Sequence, residues 1–377
     1  MIAALFFTWF FVASLWTVNA LRRPVPPGKG IPPLWLPGMI VSELAPWLFL
    51  VRVVVAAIFI TAGALENRVG QAGLALFAAS EAGLLILIAR SLRSSREIDR
   101  QQTPLALFKV LPRLPQGVEF TPHVGYWEDL TLDVYRRPEA ADAPTLIYVH
   151  PGSWMRGRPG RQALPLFHEL ADAGWVILDI RYPLSPRATF PDHLIGVKRA
   201  ISWAKSGGAD LGIDPNRVAI AGASSGAHLA ALAALTWDHP DLQPGFEDAD
   251  TTLIACVPHY GIYDLLIRNG TRYDWPFIAK HVLKAGPLEA PDLYRLGSPI
   301  ELVRRDAPPF LVIHGDFDSV VLAAESDHFV EALRASGAAV RYQVVQGAQH
   351  GFDAVASIRT RAVDRLVADF LIACAAR

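Results

Sequence analysis

The chain has 377 residues, 52% of them hydrophobic and 19% charged, and its 35 Lys and Arg nearly cancel its 36 Asp and Glu. That composition excludes a disordered chain and a basic nucleic-acid-binding surface. Two cysteines, Cys256 and Cys374, leave no room for a disulfide framework or a cysteine-rich zinc cluster, and both are expected in the core.

The charges are unevenly spread. Residues 1–92 carry nine of them, against 62 in the remaining 285 residues, so the first quarter of the chain is expected in a medium other than water. Residues 2–20 hold no charge and span about 28 Å as a helix, enough to cross a bilayer. A cleaved signal peptide is the other reading, because Val18-Asn19-Ala20 resembles a cleavage site. No basic stretch precedes the apolar run, however, and more apolar segments follow it. A Pro/Gly-rich connector (RRPVPPGKGIPP) leads to apolar stretches near 39–65 and 69–89, joined by the short turn Glu66-Asn67-Arg68. Arg52 and Glu81 fall at similar depth in these two stretches and are expected to pair inside the bundle; the alternative is that Arg52 snorkels to an interface. Arg22, Arg23 and Lys29 in the connector, and Arg90, Arg93, Arg96 and Arg100 after the third stretch, outweigh the single Arg68 of the turn. The positive-inside bias then puts both basic segments, and everything after residue 90, in the cytoplasm. The expected organisation is a three-helix transmembrane region over 1–92, a linker over 93–119 and a catalytic domain over 120–377.

From residue 105 onward short apolar runs alternate with helical patterns. The runs are Thr145–His150, Trp175–Tyr182, Val218–Ala223, Leu253–Tyr260, Phe310–Gly315 and Val340–Gly347. Most are nearly continuously apolar, as strands buried on both faces of a parallel sheet are. Helical patterns cover 191–206, 226–237, 323–335 and 355–375, which together predict a doubly wound α/β sheet. Residues 123–137 alternate more plainly and predict an antiparallel leading edge. The long segment 262–300, with Tyr263, Tyr273, Trp275, Phe277 and Tyr294, is either a cap over a site or an ordinary crossover.

The chemical signal is Gly222-Ala223-Ser224-Ser225-Gly226, directly after an apolar strand and directly before AHLAALAAL. In that context G-x-S-x-G predicts a nucleophile elbow, whose strained serine needs small neighbours so that strand and helix can pass each other. Ser225 is a weaker candidate nucleophile, being off-centre between the glycines, and its N–H at the helix start suits a developing oxyanion. A serine needs a base within hydrogen-bond reach, itself held by a carboxylate, and for such an elbow both follow it in the chain, acid first. His350, on a loop after the last apolar strand, is the favoured base over His314 and His259, which precede the acid. Asp318 is the favoured acid, with Asp316, Glu325 and Asp327 as alternatives. The second half of an oxyanion hole is expected in the small-residue loop after Thr145–His150.

In that loop, His150-Pro151-Gly152-Ser153 resembles the HGGG-type motif of the hormone-sensitive-lipase-like branch of α/β-hydrolases. The resemblance extends through Arg181–Pro186, Phe190-Pro191, Gly212–Asn216, Ser298–Ile300, Asp306–Phe310, His314-Gly315, Asp318 and Gly347–Gly351, over roughly residues 120–375. It implies an α/β-hydrolase fold and a carboxylic-ester hydrolase with Ser224, Asp318 and His350 as triad. It also implies oxyanion donors from Gly152, Ser153 and Ser225, and a bracing role for His150. Pro151 stands where the motif has a glycine and lacks an N–H, but the donors are the residues after it. Ser153 replaces the last glycine, and membrane helices stand where the family has an amino-terminal cap. The expected reaction is hydrolysis of apolar acyl esters through an acyl-enzyme, with ester substrate and membrane lipid as partners and no metal or organic cofactor. The alternatives are acyl transfer or amide cleavage on the same intermediate (the Trp154 and Ala227-His228 flanks are similar to arylformamidases), or a non-catalytic membrane sensor or scaffold.

Overall fold

The computed structural model describes residues 1–22, 34–100, 112–272 and 275–377. Arg23 and Lys29 of the connector, the middle of the expected linker and Tyr273 lie outside the described residues.

Helix α1 (Ile2–Leu21) is uninterrupted. The second apolar stretch, expected as one helix over 39–65, is instead two: α2 (Trp35–Glu43) and α3 (Ala45–Thr61), bent by 84° about Leu44. Pro46, in the first turn of α3, has no N–H to offer the Ser42 carbonyl, so the hydrogen-bond ladder is interrupted where the chain turns. The third stretch, expected to end near 89, continues as α4 (Arg68–Ile98). Asn67 caps it, its Oδ1 accepting from the N–H groups of Val69 and Gly70 at 3.0 and 3.1 Å. The last turns of α4 are polar and carry it out of the apolar bundle, so that Ile98 packs against the core of the α/β domain. By length and composition α1 and α4 are each able to cross a membrane, and α2 with α3 supplies a third span if the bent pair counts as one.

Within the bundle Arg52 points inward and is buried. Its Nη1 donates to Thr17 Oγ1 at 2.8 Å and to Ser80 Oγ at 2.6 Å, with the buried Glu81 carboxylate 4.0 Å away. The two charges are therefore neighbours, but the hydroxyls, not the carboxylate, take the direct hydrogen bonds.

The α/β domain is built on an eight-stranded sheet in the order β1-β2-β4-β3-β5-β6-β7-β8. Strands β1 (Glu119–Trp127) and β2 (Leu130–Arg136) form the antiparallel edge, and β2 is antiparallel to β4 (Val176–Ile180). Strands β3 (Ala143–Val149), β5 (Ile213–Ala223), β6 (Cys256–His259), β7 (Phe310–Gly315) and β8 (Val340–Val345) pair in parallel, β3 also with β4. Alternate residues feed two cores. Ile147, Val149, Val218 and Ile220 meet α6 (Asp192–Gly207), α7 (Ser225–Leu235) and α10 (Ala323–Ser336) on one face. Leu146, Tyr148, Ala219 and Ala221 meet α5 (Leu164–Asp172) and α11 (Ile358–Ala375) on the other. Helix α5 was not expected from the sequence; its nine residues follow a loop rich in Gly, Pro and Arg. Both cysteines are buried, Cys256 and Cys374 lying in opposite cores.

The segment 262–300 folds into α8 (Trp275–Phe277), a π-helical turn (Ile278–Leu283) and α9 (Pro291–Leu296). Ile278, Val282, Leu283 and Tyr294 are buried in the α6–α7 core, and the Val282 carbonyl accepts from the Phe190 N–H at 2.9 Å.

Candidate active site

The carboxyl ends of β3, β5, β7 and β8 meet at one end of the sheet, where open α/β folds place their sites. Ser224 sits between β5 and α7 with φ 53° and ψ −119°, a sparsely populated conformation that lifts its hydroxyl out of the turn. The turn tolerates nothing larger at its glycines. A Cβ on Gly222 would stand 2.5 Å from the Gly226 carbonyl oxygen, and one on Gly226 would stand 2.0 Å from that of Val149.

His350, five residues beyond the end of β8, brings its Nε2 within 3.0 Å of Ser224 Oγ. Its Nδ1 lies 2.7 Å from Asp318 Oδ2. The network assigns the proton to Nδ1, which donates to the carboxylate and leaves Nε2 free to accept from the serine hydroxyl. Asp318, in the loop after β7, is fully enclosed. Its Oδ1 accepts from the N–H groups of Val320 and Val321, both at 2.8 Å, and its Oδ2 also lies 3.2 Å from His314 Nε2. Burial resists ionisation of this carboxyl, but the neighbouring imidazoles, His350 foremost, hold it well below the usual carboxylate range.

The alternatives are spent elsewhere. Glu325 accepts from the N–H groups of Tyr263 and Asp264 and from the Arg272 guanidinium. Asp316 accepts from the Gly347 N–H, and Asp327 is exposed. His314 is more than strand-end filling: it donates to the Val321 carbonyl and faces Asp318, while its Nδ1 lies 2.7 Å from Ser326 Oγ. His259 belongs to a second buried network, with Nδ1 3.2 Å from Asp353 Oδ2. Asp353 also accepts from Tyr260 Oη and Gln162, and the Tyr260 ring lies 4.7 Å from that of His350.

The loop after β3 carries a run of positive φ: 146° at Gly152, 56° at Ser153 and 57° at Trp154. Turned this way, it folds back on the elbow and is pinned there by Trp154, whose Nε1 donates to His228 Nδ1 of α7 at 3.2 Å. His228 Nε2 in turn donates to the Gly297 carbonyl at 2.7 Å. His150 has its Nδ1 3.0 Å from the Pro151 carbonyl and stacks on Tyr182 at 4.5 Å. Burial pushes its imidazole down to about 4, so it is a neutral brace at neutral pH.

Several contributors carried no motif. Gln349 Oε1 accepts from the Ser319 N–H at 2.7 Å and the His350 N–H at 2.9 Å, tying the loop after β7 to the loop after β8. Trp35 of α2 stands edge-on to His350, with ring centroids 5.8 Å apart at 86°. Adjacency to the motif would have pointed to Gln349; nothing local marks Trp35. Among the described residues no group of His, Cys, Asp and Glu is arranged to hold a metal ion.

A mostly parallel eight-stranded sheet, with a strained serine where β5 turns into α7 and a histidine and an aspartate delivered by later strand ends, is an α/β-hydrolase fold. The chain belongs to the BD-FAE family, whose sequence profile matches residues 132–333. It is 45% identical to the esterase LipQ of Mycobacterium tuberculosis over 245 residues, covering 64% of this chain and 58% of LipQ. It is 40% identical to the esterase LipC of the same organism over 247 residues, covering 64% and 61%. The chain thus spans about three-fifths of the length of these relatives. Among solved structures it is similar to a truncated carbohydrate esterase from gut microbiota, with TM-score 0.60 and 26% identity, over 71% of this chain and all of that one.

Proposed function

We propose that this protein is a membrane-anchored serine esterase that forms an acyl-enzyme at Ser224. The observation that carries the reading is the continuous hydrogen-bonded line from Ser224 Oγ through His350 to Asp318 Oδ2, at 3.0 and 2.7 Å. In the first half-reaction Ser224 Oγ bonds to the ester carbonyl carbon while its proton passes to His350 Nε2. Asp318, kept ionised, orients the ring and stabilises the imidazolium. The carbonyl oxygen gathers negative charge, for which the backbone N–H groups of Gly152, Ser153 and Ser225 are the donors. When the tetrahedral species collapses, the C–O bond to the alcohol breaks and Nε2 returns its proton to the leaving oxygen. Water then repeats the sequence: it gives its proton to Nε2, bonds to the acyl carbon and releases the acid as Ser224 recovers its hydrogen.

The esterase names of LipQ and LipC support the ester class. The apolar α1 and α4, with the bent pair beside them, support anchoring, and the arginines at 90, 93, 96 and 100 support a cytoplasmic α/β domain. Substrates with apolar acyl groups follow from that location. The test is the purified full chain assayed on short p-nitrophenyl esters and labelled with a fluorophosphonate probe. Wild type is expected to hydrolyse and to label at Ser224. Ser224→Ala is expected to lose labelling and at least about 10³-fold in kcat. Wild-type turnover by the alanine variant refutes the assignment.

A further inference from the structure

We propose that α2 is the roof of the active site and that Trp35 is a specificity-determining residue for esters dissolved in the bilayer, a reading that rests on the serine-esterase function above. Three observations converge on it. The Trp35 indole stands edge-on to the His350 ring at 5.8 Å and covers the next residue as well, since a Cβ on Gly351 would sit 3.6 Å from Trp35 Cζ3. The other end of α2 is fastened to the domain. Glu43 forms a buried ion pair with Arg359 and accepts from Ser357 Oγ at 2.6 Å, and the neighbouring Thr360 donates to the carbonyl of Phe352. The same short helix is thereby fixed at both ends to the segment that delivers the histidine.

The third observation is orientation. α2 meets α3 at 84°, so if α3 crosses the bilayer α2 lies along its surface. Leu34 at its cap, with Leu36 and Ile40 within it, is exposed at 38–49%, and Trp47, Leu50 and Val51 of α3 are exposed as well. One face of α2 thus meets lipid while Trp35 meets the imidazole. Ser224 and His350 are themselves only 8% and 6% exposed, so the approach beside α2 matters. An acyl chain that leaves the bilayer along α2 passes Trp35 before its carbonyl reaches Ser224. A small water-soluble ester makes no such contact.

The experiment uses the full chain in phosphatidylcholine vesicles, with p-nitrophenyl palmitate dissolved in the bilayer and p-nitrophenyl acetate in the water. Trp35→Ala is expected to lower kcat/KM for the palmitate at least tenfold more than for the acetate, with the palmitate loss lying largely in KM. Trp35→Phe is expected to recover at least half of the lost palmitate activity. Equal loss on both esters, or a palmitate-to-acetate ratio unchanged within twofold, overturns the proposal. If the alanine variant does not fold, Trp35→Gln, which keeps a long side chain but removes the apolar ring, decides by the same ratio: a fall of threefold or more supports the roof, and no fall overturns it. Failure of the underlying reading looks different, because Ser224→Ala would then retain both activities in the same vesicles.

Discussion

Gly152 holds φ at 146°, and a Cβ built on it would stand 1.7 Å from the Arg156 carbonyl oxygen. Its own carbonyl accepts from the Met155 and Arg156 N–H groups, both at 3.1 Å, which closes the loop into a tight turn beside the elbow. Alanine there has no allowed place for its methyl, so the turn must open and carry the neighbouring N–H groups away from the carbonyl they are proposed to polarise. Gly152→Ala is therefore expected to lower kcat by roughly 10²–10³-fold with little change in KM. The fluorophosphonate, which meets the same donors, should label more slowly as well. Unchanged turnover in a folded Gly152→Ala protein would remove this loop from the proposed oxyanion hole. Ser153 shows what sequence rules miss at this scale. A serine stands where the motif has its last glycine, and it takes the glycine-like φ of 56°, the chain continuing in the same region through Trp154. The indole's hydrogen bond to His228 and its burial in the core compensate for the unfavourable backbone.

At the scale of elements, the parallel strands were the most legible part of the molecule. Phe310–Gly315 is bounded as its composition predicts, because a run apolar on both faces has nowhere to lie but between two helical layers. Strand β4 shows where such reading stops. Asp179 falls in the middle of WVILDIRY, and periodicity offers no reason for a carboxyl there. It is buried, with Oδ2 accepting from the Gly160 N–H at 2.7 Å and Oδ1 without a partner, directly across the ladder from Asp133. Burial foremost, then the Asp133 carboxylate, raises its pKa to about 8 against the Gly160 hydrogen bond and the Arg181 charge. The folded protein therefore keeps this proton where the unfolded chain, with an ordinary aspartate near 4, has lost it. Between about pH 4 and 8 the unfolded state binds fewer protons, so this group's contribution makes stability fall as pH rises and then level off. Asp179→Asn keeps a neutral acceptor for Gly160 and removes the titration. The variant is expected to gain on wild type progressively from pH 5 to 8, by on the order of a few kcal/mol. Thermal unfolding across that range checks it, and parallel curves for the two proteins would show that Asp179 is not the proton's site.

At the scale of the whole molecule, the sequence separates an apolar quarter from an α/β domain but says nothing of how they meet. Contacts settled only by three-dimensional packing join them. Arg90 of α4 lies over the Phe317 ring at 5.5 Å, one residue from Asp318, and Glu43 of α2 reaches Arg359 of α11 across 316 positions of sequence. Glu43 stands near the start of the apolar stretch expected as one helix near 39–65. Its burial depends on the 84° bend at Leu44, which hydropathy averaged over 39–65 conceals. The pair has a testable signature. Two charges removed from water lose hydration that their mutual attraction roughly restores, so the intact pair adds little net stability. Removing one partner leaves an uncompensated charge in a dry interface. Glu43→Ala is expected to destabilise the full chain by about 3–5 kcal/mol, and Glu43→Met with Arg359→Met to recover most of that loss. Thermal unfolding in detergent, followed alongside hydrolysis of a bilayer-dissolved ester, distinguishes the consequences. If α2 is held down mainly by this pair, the single variant loses activity on that ester well below its melting temperature, because the roof lifts before the sheet unfolds. If stability and activity fall together, the α2 contact and the α/β domain unfold as one cooperative unit, and the apolar helices are part of the protein's core rather than an attachment to it.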